Sequence, residues 1–117
     1  MNSASSARIA FEPLRTIAFG GITNVYAAVG TAFANPVRLL KITNMTDVDI
    51  IVSYNGVTDQ DIVIASGFTL YDYCTNQSSV GGLLEQPVGD GVWVKRAGAA
   101  NPISGNVYVT VIYAAQR

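Results

Sequence analysis

The sequence predicts an all-β protein: an antiparallel β-sandwich of jelly-roll or Ig-like kind, built from about seven to nine short strands. Three observations lead there. Turn signals built on Gly, Pro, Asn and Asp recur roughly every 8–14 residues along the 117-residue chain. Between Val48 and Tyr54, the residues Val48, Ile50, Val52 and Tyr54 alternate with Asp49, Ile51 and Ser53, the period of a strand. The chain closes on Asn106 to Ala114, a β-branched and aromatic run too short for a typical helix and well suited to a pleated surface.

The remaining elements follow in order. Residues 1–12 are small and polar apart from Ile9-Ala10-Phe11, and read as a flexible N-terminal arm that a neighbour would order. Residues 13–117 read as a single sandwich domain, a length sufficient for one core. Leu14 to Phe19 is the first expected strand, closed by Gly20-Gly21. Thr23 to Ala34 is ambiguous: Val25 to Val29 suits a strand, and the alanines weaken it. Asn35-Pro36 is a turn, followed by a strand from Val37 to Thr43 with Val37 and Leu39 on one face and Leu40 and Ile42 on the other. After the alternating segment, Asn55-Gly56 fits a turn needing positive φ. Asp61 to Ala65 and Phe68 to Cys74 are two short strands joined at Ser66-Gly67. A polar loop from Thr75 to Gly82 precedes Leu83-Leu84, a candidate strand start, and Gly91 to Lys95 is the next strand. Ala97 to Gly105 is a loop.

Composition points to assembly. Half of the residues are apolar and 13% are charged, with seven basic and eight acidic side chains. In the last strand Val107, Val109, Val111 and Tyr113 share one face, while Tyr108, Thr110, Ile112 and Ala114 share the other, so both faces are largely apolar. A sheet buried on both sides needs a second layer of cover, which in so short a chain would come from other subunits. Ile9 and Phe11 in the arm, and Tyr108 and Ile112 on the second face of the last strand, are therefore the interface candidates. The near-balance of charge offers no footprint for nucleic acid or an anionic membrane. No apolar run reaches the roughly 18 residues of a bilayer span. The single cysteine, Cys74, excludes an intrachain disulfide, and the N-terminus lacks the pattern of a secretory signal. The sequons at Asn44-Met45-Thr46 and Asn76-Gln77-Ser78 are read as chance.

The chemistry-bearing residues are sparse. There is no histidine, which removes the usual general base near neutral pH and most zinc sites. Asp47, Asp49, Asp59 and Asp61 sit at strand ends, where Asp favours turns, so no catalytic residue is expected. Asn55, Asp59 and Asp61 could offer oxygens to calcium from one loop, although the spacing is not that of an EF-hand; a solvated hairpin loop explains the same residues. Gly20-Gly21, Gly81-Gly82 and Gly89-Asp90-Gly91 lack the Lys-Ser/Thr of a phosphate loop and read as turns. No cofactor and no small-molecule substrate are expected. Tyr54, Tyr71, Tyr73, Trp93, Tyr108 and Tyr113 suit core or interface packing, with a carbohydrate- or receptor-binding face as the alternative.

Residues 42–56, Ile-Thr-Asn-Met-Thr-Asp-Val-Asp-Ile-Ile-Val-Ser-Tyr-Asn-Gly, resemble a segment of small tailed-bacteriophage virion proteins, in which a core strand ends at an Asn-Gly or Asp-Gly turn. Gly91 to Lys95 and the closing Val107-to-Ala114 strand are similar in kind, so the resemblance spans about residues 37–114. It implies a non-enzymatic sandwich building block of the capsid, neck, collar or tail. Such a block would be made in the host cytoplasm, reside in the virion, and contact copies of itself and other virion proteins.

Overall fold

The computed structural model describes residues 7–73 and 85–116. Cys74, the loop from Thr75 to Gly82, its sequon and Leu83-Leu84 lie outside the described residues. Among those described, nine strands form two antiparallel sheets, with no α-helix and a single 3-10 turn at Phe19–Gly21. The strands are β1 (Ala7–Phe11), β2 (Arg15–Ala18), β3 (Ala27–Ala28), β4 (Val37–Asn44), β5 (Ile50–Ser53), β6 (Asp61–Val63), β7 (Gly67–Asp72), β8 (Trp93–Arg96) and β9 (Asn106–Gln116). The five-stranded sheet runs β1-β9-β4-β7, with β2 also on β9, and the four-stranded sheet runs β3-β8-β5-β6. The expected all-β, two-sheet architecture is therefore present.

The core lies between the sheets. Val107, Val109 and Val111 of β9 and Val37, Leu40 and Ile42 of β4 meet Ile50, Val52, Val63 and Val94 of the smaller sheet, all buried. Strand alternation explains the β9 and β5 contributions. The irregular connections supply the rest: Ile22, Val29, Phe33 and Val92 are buried. The ambiguous segment from Thr23 to Ala34 is thus mostly loop, with only Ala27–Ala28 paired, yet it delivers two core side chains, Val29 and Phe33.

Two register features change faces. A bulge between Val37 and Leu39 places Val37 with Leu40 and Ile42 in the core and turns Leu39 to the opposite face, correcting the expected pairing of Val37 with Leu39. A second irregularity lies along β9. Phe11 pairs with Ile112 and Arg15 with Val109, so Glu12, Pro13 and Leu14 oppose only Thr110 and Val111. β1 and β2 are thus one edge strand broken by a bulge, and Pro13 occupies the bulge, where its missing N–H costs no ladder bond.

This also corrects the expected arm over residues 7–12; residues 1–6 lie outside the described residues. Ala7–Phe11 pair with Ile112–Gln116 of the same chain. The reason lies in β9, an eleven-residue strand whose edge away from β4 is covered by β2 only from Asn106 to Val109. β1 satisfies backbone groups at the far end of that edge, which β2 does not reach. Glu12, also assigned to the arm, is buried.

Ser66 (φ 60°) and Gly67 form the expected turn, but it joins β6 of one sheet to β7 of the other rather than closing a hairpin. The sheets are tied at this end by Asn44, which is fully buried. Its Nδ2 donates to the carbonyls of Val48 (2.8 Å) and Val63 (3.0 Å), and its Oδ1 accepts from the Thr46 amide (3.0 Å) and hydroxyl (2.7 Å). Asn44→Ala strands these groups in the interior, and urea unfolding should show a loss of about 2–3 kcal/mol. An unchanged midpoint would contradict the role assigned to this network.

Candidate functional site

Opposed residues in a ladder share a face, so the register defines the outer surface of the five-stranded sheet. One row holds Thr16, Tyr108, Thr43 and Phe68; the next holds Thr110, Lys41 and Leu70; the third holds Phe11, Ile112, Leu39 and Asp72; the last holds Ile9 and Ala114. The four interface candidates, Ile9, Phe11, Tyr108 and Ile112, thus lie together on one face. Ile9 (76% exposed), Phe11 (63%), Phe68 (65%) and Leu70 (48%) stand in water, while Leu39, Tyr108 and Ile112 are half-buried among them. Among the described residues, no element packs over this face.

Phe68, Leu70 and Leu39 belong to the face and were not anticipated from sequence. A signal for the first two was available: Phe68 and Leu70 alternate with Thr69 and Tyr71, so one side of that strand had to be an apolar surface. Leu39 lies opposite Leu40 and Ile42 as expected, but Val37 does not stay with it, because the bulge puts Val37 on the core side and leaves no mark in period-two counting.

The face carries little charge. Lys41 and Asp72 are its two ionic side chains, in adjacent rows, and its net charge is zero. Its edge is rigidly built. At the β1–β2 bulge, Arg15 donates through Nη2 to Glu12 Oε1 at 2.7 Å and to the Ala32 carbonyl at 3.0 Å, and through Nε to the Thr31 carbonyl at 2.8 Å. Glu12 Oε2 accepts from the amides of Ala34 (3.1 Å) and Asn35 (2.8 Å) and from Asn35 Nδ2 (2.9 Å). Arg15 also lies 5.4 Å from the centre of the Phe33 ring. Burial alone would raise the Glu12 carboxyl, but the hydrogen bonds from Arg15 and Asn35 and the charge of Arg15 outweigh it and hold its pKa below the usual value.

Asn55, Asp59 and Asp61 are not assembled into a cation site. Asn55 Oδ1 accepts from the amides of Val57 (2.8 Å) and Thr58 (2.9 Å), an Asx-type turn that shapes the loop. Asp59 lies on the outer side of the smaller sheet, accepting from the Tyr26 hydroxyl and pairing with Lys95 Nζ at 3.0 Å. The hydrogen bond from Tyr26 and the charged Lys95 lower the Asp59 pKa, while burial and Asp59 raise that of Tyr26 to about 12. Asp61 opposes the buried Val52, hence points inward, where it accepts from the Tyr71 hydroxyl. The two carboxylates therefore serve opposite faces of one sheet, and among the described residues no group of three or more acidic or cysteine side chains could hold a metal ion.

The aromatic residues divide in the same way. Trp93 is half-buried on the outer side of the smaller sheet, opposite Ser53 and Ala28. Gly56 (φ +78°) lies against its indole, and a Cβ there would meet Trp93 Cε2 at 3.2 Å. Tyr54, Tyr71 and Tyr73 cluster elsewhere, Tyr71 edge-on to Tyr54 with centroids 5.8 Å apart and stacked with Tyr73 at 6.4 Å. Tyr71 opposes the buried Leu40 and so faces the interior, away from Trp93. Burial raises the pKa of Tyr54, and more modestly that of Tyr73.

No protein-family model, no curated protein and no solved structure matches the chain. Among the described residues no helix is long and apolar enough to cross a membrane.

Proposed function

We propose that this chain is a structural building block of a tailed-bacteriophage virion, working by oligomerisation and contact with other virion proteins rather than by catalysis. The supporting observation is the outer face of the five-stranded sheet, where Ile9, Phe11, Phe68 and Leu70 are exposed around Leu39, Tyr108 and Ile112. The resemblance of residues 42–56 to small tailed-phage virion proteins supplies the setting: capsid, neck, collar or tail.

Magnitudes support assembly. Taking about 200 Å² for a large side chain in full exposure, those four leave roughly 500 Å² in water. That is near the upper end of the ~300–600 Å² typical of the largest apolar patch on a monomer. Covering it yields a gross gain of about 12 kcal/mol at ~25 cal/mol per Å². Association itself costs about 4–15 kcal/mol, so a partner must bring a comparably apolar surface for the complex to be stable.

Light scattering of the purified protein, alone and mixed with candidate virion proteins, tests the reading. A stable complex, with itself or with one of them, is expected. A strictly monomeric protein that binds no virion component would overturn it.

A further inference from the structure

We infer that the occupant of this face is a second copy of the same chain, packed sheet against sheet about a two-fold axis. The inference rests on the assembly reading above and adds to it the partner and the surface.

Three features select a second copy. The first is area. With Leu14, Thr16, Ala18, Lys41 and Ala114 also exposed along the face or its edge, the exposed area rises from the roughly 500 Å² of the four large side chains toward the ~800 Å² that each partner contributes to a standard interface. The second is charge. Every outward position on β1 and β9 from Ile9 to Ala114 is uncharged, and Lys41 and Asp72 cancel. A polyanion or an anionic membrane gains nothing from such a surface, and a strongly charged protein partner would bury its charges unpaired. A second copy brings an equally neutral, equally apolar face. Packed about a two-fold axis, the same face meets itself, so neither copy brings a net charge to the contact. The third is shape. The face is a continuous pleated surface with whole rows of side chains in register, which suits aligned packing of two sheets at about 10 Å separation and roughly 30° rotation.

Three of the four sheet edges are poorer candidates for pairing with another copy; the fourth is the six-residue β7. β1–β2 is broken by the Glu12-Pro13-Leu14 bulge, and in the smaller sheet the edge strands β3 and β6 have only two and three residues. Short, bulged and proline-bearing edges resist strand addition. The β7 edge belongs to the same sheet as the broad face, which exposes Ile9, Phe11, Phe68 and Leu70 and so offers the larger apolar area.

Sedimentation velocity of the full chain over nanomolar to high-micromolar concentration tests this. A dimer is expected. Phe68→Asp and Phe11→Asp each place a charge at an exposed position, and each enters a two-fold interface twice. Either should raise the dissociation constant by roughly 30-fold or more. Ile62→Asp, exposed on the other sheet, should leave it unchanged. Radical footprinting of the unaltered protein gives a second readout: Phe11, Phe68 and Tyr108 should be protected at high concentration and reactive at low. A dimer that survives both substitutions with these rings reactive throughout would overturn the face but leave the assembly reading intact. A monomer at every concentration would overturn the second copy as occupant, and its binding to a virion protein through the same residues would assign the face to that protein instead.

Discussion

Glu12→Ala is expected to destabilise the fold by about 3–5 kcal/mol, the cost of leaving the buried Arg15 without its counter-charge. Glu12 does more than neutralise. Its second oxygen collects the amides of Ala34 and Asn35, while Arg15 holds the carbonyls of Thr31 and Ala32, so the pair fastens the 31–35 loop to the bulged edge of the large sheet. The same pair should govern acid sensitivity. The Glu12 carboxyl titrates below its ordinary value near 4.5 in the folded protein. Its contribution is therefore complete above that value and is lost as pH falls through the lower, folded pKa. Chemical denaturation at a series of pH values should show stability falling below about pH 4.5. Glu12→Gln, which keeps the shape and drops the charge, should start lower and fall less. A variant as stable as the parent at pH 7, with an identical acid limb, would contradict this account.

Gly105→Ala is expected to cost a similar amount, about 3–5 kcal/mol, by a different route. Gly105 has φ +89°, a conformation that side chains rarely adopt. A Cβ there would also fall on the Met45 carbonyl, 2.7 Å from its carbon and 2.9 Å from Thr46 Cα, all backbone that cannot step aside. The close approach has a purpose: the Met45 amide donates to the Asn106 carbonyl at 2.9 Å, and the Phe19 amide to the Gly105 carbonyl at 3.0 Å, where β9 begins. Gly98, with open space around it and no positive φ, is the control, and its alanine variant should lie within about 0.5 kcal/mol of the parent. Equal thermal midpoints for the two variants would show that the β9 entry tolerates a side chain.

Much of the fold was legible because its strands bury alternate residues. β5 and β9 carry unbroken period-two patterns, and Asn55-Gly56 marks a turn whose glycine has φ +78°. Tyr108 and Ile112, picked out from the apolar second face of β9, lie on one surface with Ile9 and Phe11, which the sequence assigns to a separate arm. Three features were out of reach. Bulges move residues between faces without changing composition, which hid the side of Val37 and the break at Glu12-Pro13-Leu14. Glu12 and Arg15, three apart, look like any surface pair until backbone groups from residues 31–35 surround them. The turn at Ser66-Gly67 has the residues of a hairpin, but whether the chain closes one or crosses to the other sheet is decided by which neighbours bury Val63 and Tyr71. Asp59 and Asp61 illustrate the same limit: two residues apart in sequence, they face opposite sides of a sheet.

The most direct test of the proposed building-block role is cryo-electron microscopy of the tailed-phage virion to which the proposal assigns this chain. The account predicts density for the two-sheet fold at a repeated position in the virion, with Ile9, Phe11, Phe68, Leu70 and Ile112 covered by a neighbouring subunit. A particle that lacks the chain, or one that carries it with this face open to solvent, would contradict it.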